Sequence, residues 1–214
     1  TASEHVARVL RLRAGAPITA FDGTGGEWLC RITAIVRNRV SIECLEHQDV
    51  ERESPLAITL LQSLARGEKM DWVIQKATEL GVSRIIPVSA ERSVVQIDDE
   101  RAATRLAHWR AVASSACEQC GRNRLPQIDA PLSIEAAGQS GLPGLRLVLA
   151  PGAAQSLAQL AAAATGVALL IGPEGGLTDA ELASATALGF QAVSFGPRIL
   201  RTETAAVAAI AALQ

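Results

Sequence analysis

The chain is 214 residues long, 49 % apolar, and balances 20 Lys and Arg against 22 Asp and Glu for a formal net charge of -2. That is enough apolar chain to bury one large core or two modest ones, and the composition excludes a disordered or collagen-like polymer. The near-neutral balance argues against a broadly basic, polyanion-binding surface, although a local arginine cluster can override an average.

HVARVLRL (5–12) carries Val6, Val9 and Leu10 at helical spacing, which leaves Arg8 and Arg11 together on another face. ITAFD (18–22), WLCRITAIV (28–36) and RVSIECLE (39–46) then read as a meander of short strands, broken by GTGG and by Arg37-Asn38. GTGGEW leads from strand to strand, so it is a hairpin turn rather than a nucleotide loop. The charged run EHQDVERESP (46–55) reads as a solvated linker, and a boundary within it divides the chain into domains 1–56 and 57–214.

Beyond it, strands alternate with helices, the pattern of a parallel sheet covered on both faces. The predicted strands are AITLLQSL, RIIPVS, LRLVLA, VALLIG and AVSFG. EKMDWVIQKATEL (68–80) closes on Gly81 as a helix does, and Asp98 or Asp99 caps a long helix reaching Cys120. Thr178-Asp179-Ala180-Glu181 has the capping-box pattern of a helix that ends at Gly189. TETAAVAAIAALQ is nearly apolar all round, which predicts a helix buried in the core or against another subunit.

Two loops carry the chemistry. In IGPEGG (171–176), Pro173 fixes one backbone angle while Gly175 and Gly176 remove side chains, so a ligand can touch main chain directly. Glu174 is its ionisable group, and the plain alternative is a strand-to-helix turn with an exposed glutamate. In GPRILRTETA (196–205), Arg198 and Arg201 precede a helix start, which is either an anion site or an ordinary surface arginine pair. Glu203 suits the helix dipole whatever else it does, and Thr202 is a candidate cap. LVLAPGAA (147–154) has one glycine where a dinucleotide loop has three, so by itself it is a turn. CEQCGRNRLP (117–126) ends a helix at Gly121, with Arg122 and Arg124 placed either for the helix dipole or for a nucleic-acid backbone.

Cys30, Cys44, Cys117 and Cys120 form no second C-x-x-C and have no histidine nearby, so packing rather than zinc or redox chemistry is expected, in a reduced, cytosolic chain. Pro151, Gly152, Gln155, Gln159 and Pro173 interrupt the longest apolar runs, which argues against a membrane span. His5, His47 and His108 are remote in sequence from the two loops and no G-x-S-x-G elbow is present, which argues against hydrolysis.

HVARVLRL, RGEKMDWVIQKATELGV, ERS (91–93), ACEQCGRNRLP, IGPEGGLTDAE and GPRILRTETA, in that order, resemble the bacterial RsmE group of SPOUT methyltransferases. The resemblance implies an α/β protein: a SPOUT-type parallel sheet with a C-terminal trefoil knot, preceded by a small PUA-like β-barrel that binds RNA. It implies methylation of ring nitrogen 3 of a uridine in 16S small-subunit ribosomal RNA, within a 30S particle, by a cytoplasmic homodimer that needs no metal. It places S-adenosylmethionine on Leu149, Ile171, Gly172, Glu174, Gly175, Gly176, Gly196, Ile199, Leu200 and Thr202. Glu203 and Glu174 become candidate proton acceptors and Arg201 a stabiliser of the deprotonated uracil, while Arg8, Arg11, Arg122, Arg124 and Arg198 become candidate RNA contacts. It also leads one to expect a short basic segment before HVARVLRL and a little more chain after Gln214. Two alternatives stay open: a non-catalytic RNA-binding ribosome assembly factor, and a related methyltransferase acting on a ribose hydroxyl or on tRNA.

Overall fold

A computed structural model describes residues 3, 5–37, 39–93, 99–157 and 164–214. The chain divides into two units, Thr1–Arg52 with Gly121–Arg124, and Glu53–Cys120 with Leu125–Gln214.

In the first unit the predicted opening helix is short and wide, a π-helix over His5–Val9. It stops because Arg11 takes a left-handed backbone (φ 50°) and the Leu12 N–H reaches back to the Val6 carbonyl at 3.2 Å. The spacing predicts that Arg8 and Arg11 share a helical face; instead Arg11 lies beyond the end of the helix. Strands β1 (Pro17–Ala20), β2 (Glu27–Val36) and β3 (Arg39–Gln48) form the expected antiparallel meander in that order. Asn38, between the last two, lies outside the described residues. On β2 the inward positions Cys30 and Ile32 are buried while Arg31 and Thr33 face out, the period-two alternation of a sheet with one covered face. Residues 121–124 return to this unit: Arg124 bridges to Gly23 and Thr24, and the Asn123 side-chain amide donates to the Val50 carbonyl at 2.6 Å.

The second unit contains β4 (Ala57–Ser63), α1 (Lys69–Glu79), β5 (Arg84–Ser89) and α2 (Asp99–Cys120). Next come β6 (Gln127–Ile128), β7 (Leu132–Ser133), α3 (Ile134–Gly138), β8 (Leu145–Leu149) and β9 (Gln155–Ser156). The last elements are β10 (Gly166–Ile171), α4 (Asp179–Ala187), β11 (Gln191–Ser194) and α5 (Thr202–Leu213). The predicted strands and helices all appear; β6, β7, β9 and α3 are additional, each too short to leave a periodic trace in the sequence. Asp98, a predicted cap, lies outside the described residues.

The sheet runs β6-β5-β4-β10-β8-β11-β9, with β7 beside β5, and its pairings are parallel. Alternate residues of each strand feed opposite cores. Ile58, Leu60, Val167, Leu169 and Ile171 meet Met70, Val73 and Ile74 of α1, Trp109 of α2 and Ala206, Ala209 and Ile210 of α5. Leu61, Ala168 and Leu170 meet Ile134 of α3 and Ala185 of α4 on the other face. At about 1.5–3 kcal/mol for each large apolar side chain buried, these two layers hold the strand ends in register.

The Thr178 cap is made on both sides, its hydroxyl accepting from the Glu181 N–H while the Glu181 carboxylate accepts from Thr178. Within the single chain α5 buries Ala206, Ala209, Ile210 and Leu213 in the core and exposes Ala211 and Ala212. An exposed alanine methyl costs little, so these two positions are compatible with water as well as with cover.

Candidate active site

Because the strands are parallel, the segments that follow β4, β5, β8, β10 and β11 emerge along one edge of the sheet. Ligands of open α/β sheets bind outside that edge. A cavity of about 410 Å³ lies there, within the size range of small-molecule sites. LAPG, IGPEGG and GPRIL, far apart in sequence, all line it.

Leu149, Ile171, Gly172, Glu174, Gly176, Gly196, Ile199, Leu200 and Thr202 contribute to its wall, as do Arg198 and Arg201. Gly175 and Glu203 are not part of that wall. Ala150 of LAPG joins the wall, and Leu177, Val193, Phe195 and Ala205 add apolar surface unforeseen in the sequence. Gly176 and Gly196 both adopt φ 71°, where an L side chain is strained, and a Cβ at either would project into open space. The wall thus presents main chain and apolar carbon with few side-chain polar groups. An adenosyl group, flat and edged with hydrogen-bonding nitrogens, fits such a surface.

The two glycine loops are held against each other by a buried relay. The Thr202 hydroxyl donates to the Gly172 carbonyl at 2.7 Å and accepts from the Gln62 amide at 2.9 Å. Gln62, on β4 opposite Ile171 of β10, is fully buried, so this relay works in a low-dielectric setting. Thr202 is therefore the first helical residue, and the capping position belongs to Arg201, whose side chain makes no cap bond.

Lys69, at the start of α1, lies 2.9 Å from Glu174 Oε1 and 3.6 Å from Glu203 Oε2. Burial on its own would raise the Glu174 carboxyl. The Lys69 hydrogen bond and charge, with backbone N–H groups of Glu174 and Arg66, outweigh it and hold the group below its ordinary value. The Lys69 ammonium is correspondingly raised by the Glu174 hydrogen bond, against a smaller desolvation effect. From the segment after β5, Arg92 donates to the Gly175 carbonyl at 3.2 Å and the Glu91 N–H donates to Glu181 at 2.7 Å.

Gln62, Lys69 and Arg92 were not among the residues singled out in the sequence. The signal that finds them is topological: Gln62 lies near the end of β4, LARGEKM follows that strand and ERS follows β5, and these strands lie in the order β5-β4-β10 at the ligand edge.

The other basic candidates belong to the first unit. Arg8 and Arg11 are exposed. Arg124 donates to the Thr24 carbonyl at 2.6 Å and pairs with Glu51 at 3.1 Å, so its guanidinium is committed to holding the hairpin turn. Arg122 is only 5 % exposed, which closes it to a phosphate in this conformation. Among the described residues no cluster of three or more His, Cys, Asp and Glu is arranged to hold a metal. No described helix is long and apolar enough to cross a membrane.

Residues 52–214 match the RNA methyltransferase domain model and residues 1–44 match the RNA methyltransferase PUA domain model. The ribosomal RNA small subunit methyltransferase E of Bacillus subtilis is 34 % identical, over 98 % of this chain and 85 % of its own length. A methyltransferase of Legionella pneumophila, solved with bound SAM, superposes with a TM-score of 0.94 at 39 % identity, covering 100 % of this chain and 88 % of the other. The ribosomal RNA small subunit methyltransferase E of Neisseria gonorrhoeae, solved with S-adenosyl methionine, gives 0.89 at 42 % identity, covering 98 % and 87 %. Two domain models in tandem and near-full-length likeness to these enzymes place the chain in the ribosomal RNA small subunit methyltransferase E family.

Proposed function

We propose that the protein transfers a methyl group from S-adenosylmethionine to ring nitrogen 3 of a uridine in small-subunit ribosomal RNA. The observation that carries this is that LAPG, IGPEGG and GPRIL converge on one cavity. The SAM-bound relatives support the cofactor and the names of the relatives support the ribosomal substrate.

S-adenosylmethionine, when bound, supplies a methyl already activated by its sulfonium, so the protein's main task is alignment, worth up to roughly 7–11 kcal/mol. Backbone groups of Leu149, Gly172, Gly196 and Leu200 hold it, and Ile171, Phe195 and Ala205 exclude water behind it. A uridine imide nitrogen still carrying its proton is a poor nucleophile, so a proton acceptor is needed. Glu203 and Glu174 are the candidates: Glu203 Oε2 is buried and lies 3.6 Å from the Lys69 ammonium, while Glu174 lines the cavity. Glu174 is held ionised by Lys69 and two N–H groups. Arg201 stabilises negative charge growing on the uracil and Arg198 takes a neighbouring phosphate; both line the cavity. The exposed Arg8 and Arg11 of the first unit provide further RNA-backbone contacts.

The same reading includes a cytoplasmic homodimer, a 30S particle as substrate, and a trefoil knot in the last segment. Ile199, 83 % exposed beside the cavity, and Trp72, 42 % exposed on α1, support a second copy. Support for the knot comes from the path: β10 lies between β4 and β8, β11 lies beyond β8, and α5 comes back to pack on α1 and β4.

Calorimetry with S-adenosylmethionine, followed by mass spectrometry of nucleosides from treated 30S particles, tests the proposal. One-to-one binding and a new 3-methyluridine are expected. Absence of binding would favour an assembly factor, and a ribose-methylated product would move the acceptor to a hydroxyl.

A further inference from the structure

We propose that Lys69 is a positioning residue for methyl transfer, one ammonium that fastens the segment after β4 to both cavity loops through Glu174 and Glu203. The inference rests on the methyltransferase reading above. Lys69 is not part of the cavity wall; it acts through the two carboxylates, one at the mouth of IGPEGG and one in the first turn of α5.

The physical case begins with charge. Two carboxylates reach for the same nitrogen from chain segments that no secondary structure joins directly, and without a cation between them they repel. Lys69 resolves that conflict and thereby fixes the start of α5, which carries Arg201 and Thr202. The side chains of Lys69 and Glu174 are 34 % and 29 % exposed, and an ion pair that open adds little to global stability. Its value lies in geometry: misplacing a catalytic group by about 1 Å can cost roughly 100-fold in rate.

The charged surroundings are specified. Glu174 faces Lys69 and the Arg66 N–H, with Arg92 bound to the adjacent Gly175 carbonyl. Glu203 faces Lys69, and Arg198 and Arg201 line the cavity nearby. Removing the ammonium takes away the hydrogen bond and charge that hold the Glu174 carboxyl low, so the group titrates at higher pH.

The test compares wild type with Lys69→Met and Lys69→Arg in the full chain, reading cofactor affinity by calorimetry, thermal midpoint, kcat and the pH profile. In Lys69→Met, kcat should fall roughly 10- to 100-fold, with cofactor affinity and thermal midpoint nearly unchanged. The acid limb of the pH profile should move to higher pH, and Lys69→Arg should recover most of the rate. The inference is overturned if kcat and the pH profile stay wild-type, if cofactor affinity falls as far as kcat, or if the loss is explained by a lowered thermal midpoint. A wild-type protein that binds no S-adenosylmethionine overturns both readings, whereas a normal Lys69→Met enzyme leaves the methyltransferase reading standing.

Discussion

The hydroxyl of Thr202 donates to the carbonyl of Gly172 at 2.7 Å, joining the first turn of α5 to the end of β10. Gln62 completes the link from β4 at 2.9 Å, so three sheet-edge segments share one buried oxygen. Thr202→Val keeps the shape and removes both bonds, leaving the Gly172 carbonyl and the Gln62 amide each short of a partner. Such a loss costs about 1–2 kcal/mol, a factor of roughly 5 to 30. The dissociation constant for S-adenosylmethionine should rise by that factor in calorimetry, and Thr202→Ser should restore it. Equal affinities for the valine and serine variants would show that the hydroxyl does not shape the cavity.

Gly196 lines the cavity at φ 71°, and Gly141, after α3, has φ 72°; neither would bring a Cβ within 4 Å of another atom. Alanine at either position therefore meets the same backbone strain, about 1–2 kcal/mol, without a steric clash. Both variants should melt a few degrees below wild type, but Gly196→Ala alone should weaken cofactor binding. If Gly141→Ala weakened it equally, the effect would be global destabilisation and not a reshaped loop.

These tests separate what the sequence made legible from what it left hidden. IGPEGG and GPRIL could be read because glycine and proline announce unusual backbone and because the strand before IGPEGG is apolar throughout. The antiparallel meander and the capping box at Thr178 were legible for similar local reasons. Lys69 and Gln62 were hidden, since their partners Glu174 and Thr202 lie 105 and 140 positions away. Only strand order brings such pairs together, and order is not encoded in periodicity. The surroundings of Arg122 and Arg124 were hidden in the same way: the first is buried and the second donates to the Thr24 carbonyl of a hairpin turn.

Arg198 and Arg201 are both exposed and both line the cavity, but the proposed mechanism gives them different work. Arg201→Ala should lower kcat far more than cofactor affinity, because a charge that forms on the uracil is felt only in the transition state. Arg198→Ala should instead raise the KM for RNA and flatten its salt dependence, as expected on losing one phosphate contact. Steady-state kinetics at two salt concentrations separates the two. Parallel losses in kcat and KM for both variants would mean that the pair acts as one binding site.

Cys30 and Cys44 face each other across β2 and β3 with their sulfurs 3.5 Å apart, one buried and one exposed. Burial, then the hydrogen bond and charge of Cys44, push the Cys30 thiol up to about 11. At pH 8 only about one Cys30 in a thousand is then the reactive thiolate. Cys117 is buried in the helix core and Cys120, one turn on, is exposed. A short iodoacetamide pulse on the native protein should therefore modify Cys44 and Cys120 and spare Cys30 and Cys117, as read by peptide mass spectrometry. In urea all four should react, since burial is what protects the other two. Native Cys30 reacting as fast as Cys44 would mean that the β2–β3 hairpin opens readily, and that the shift at Cys30 does not persist in solution.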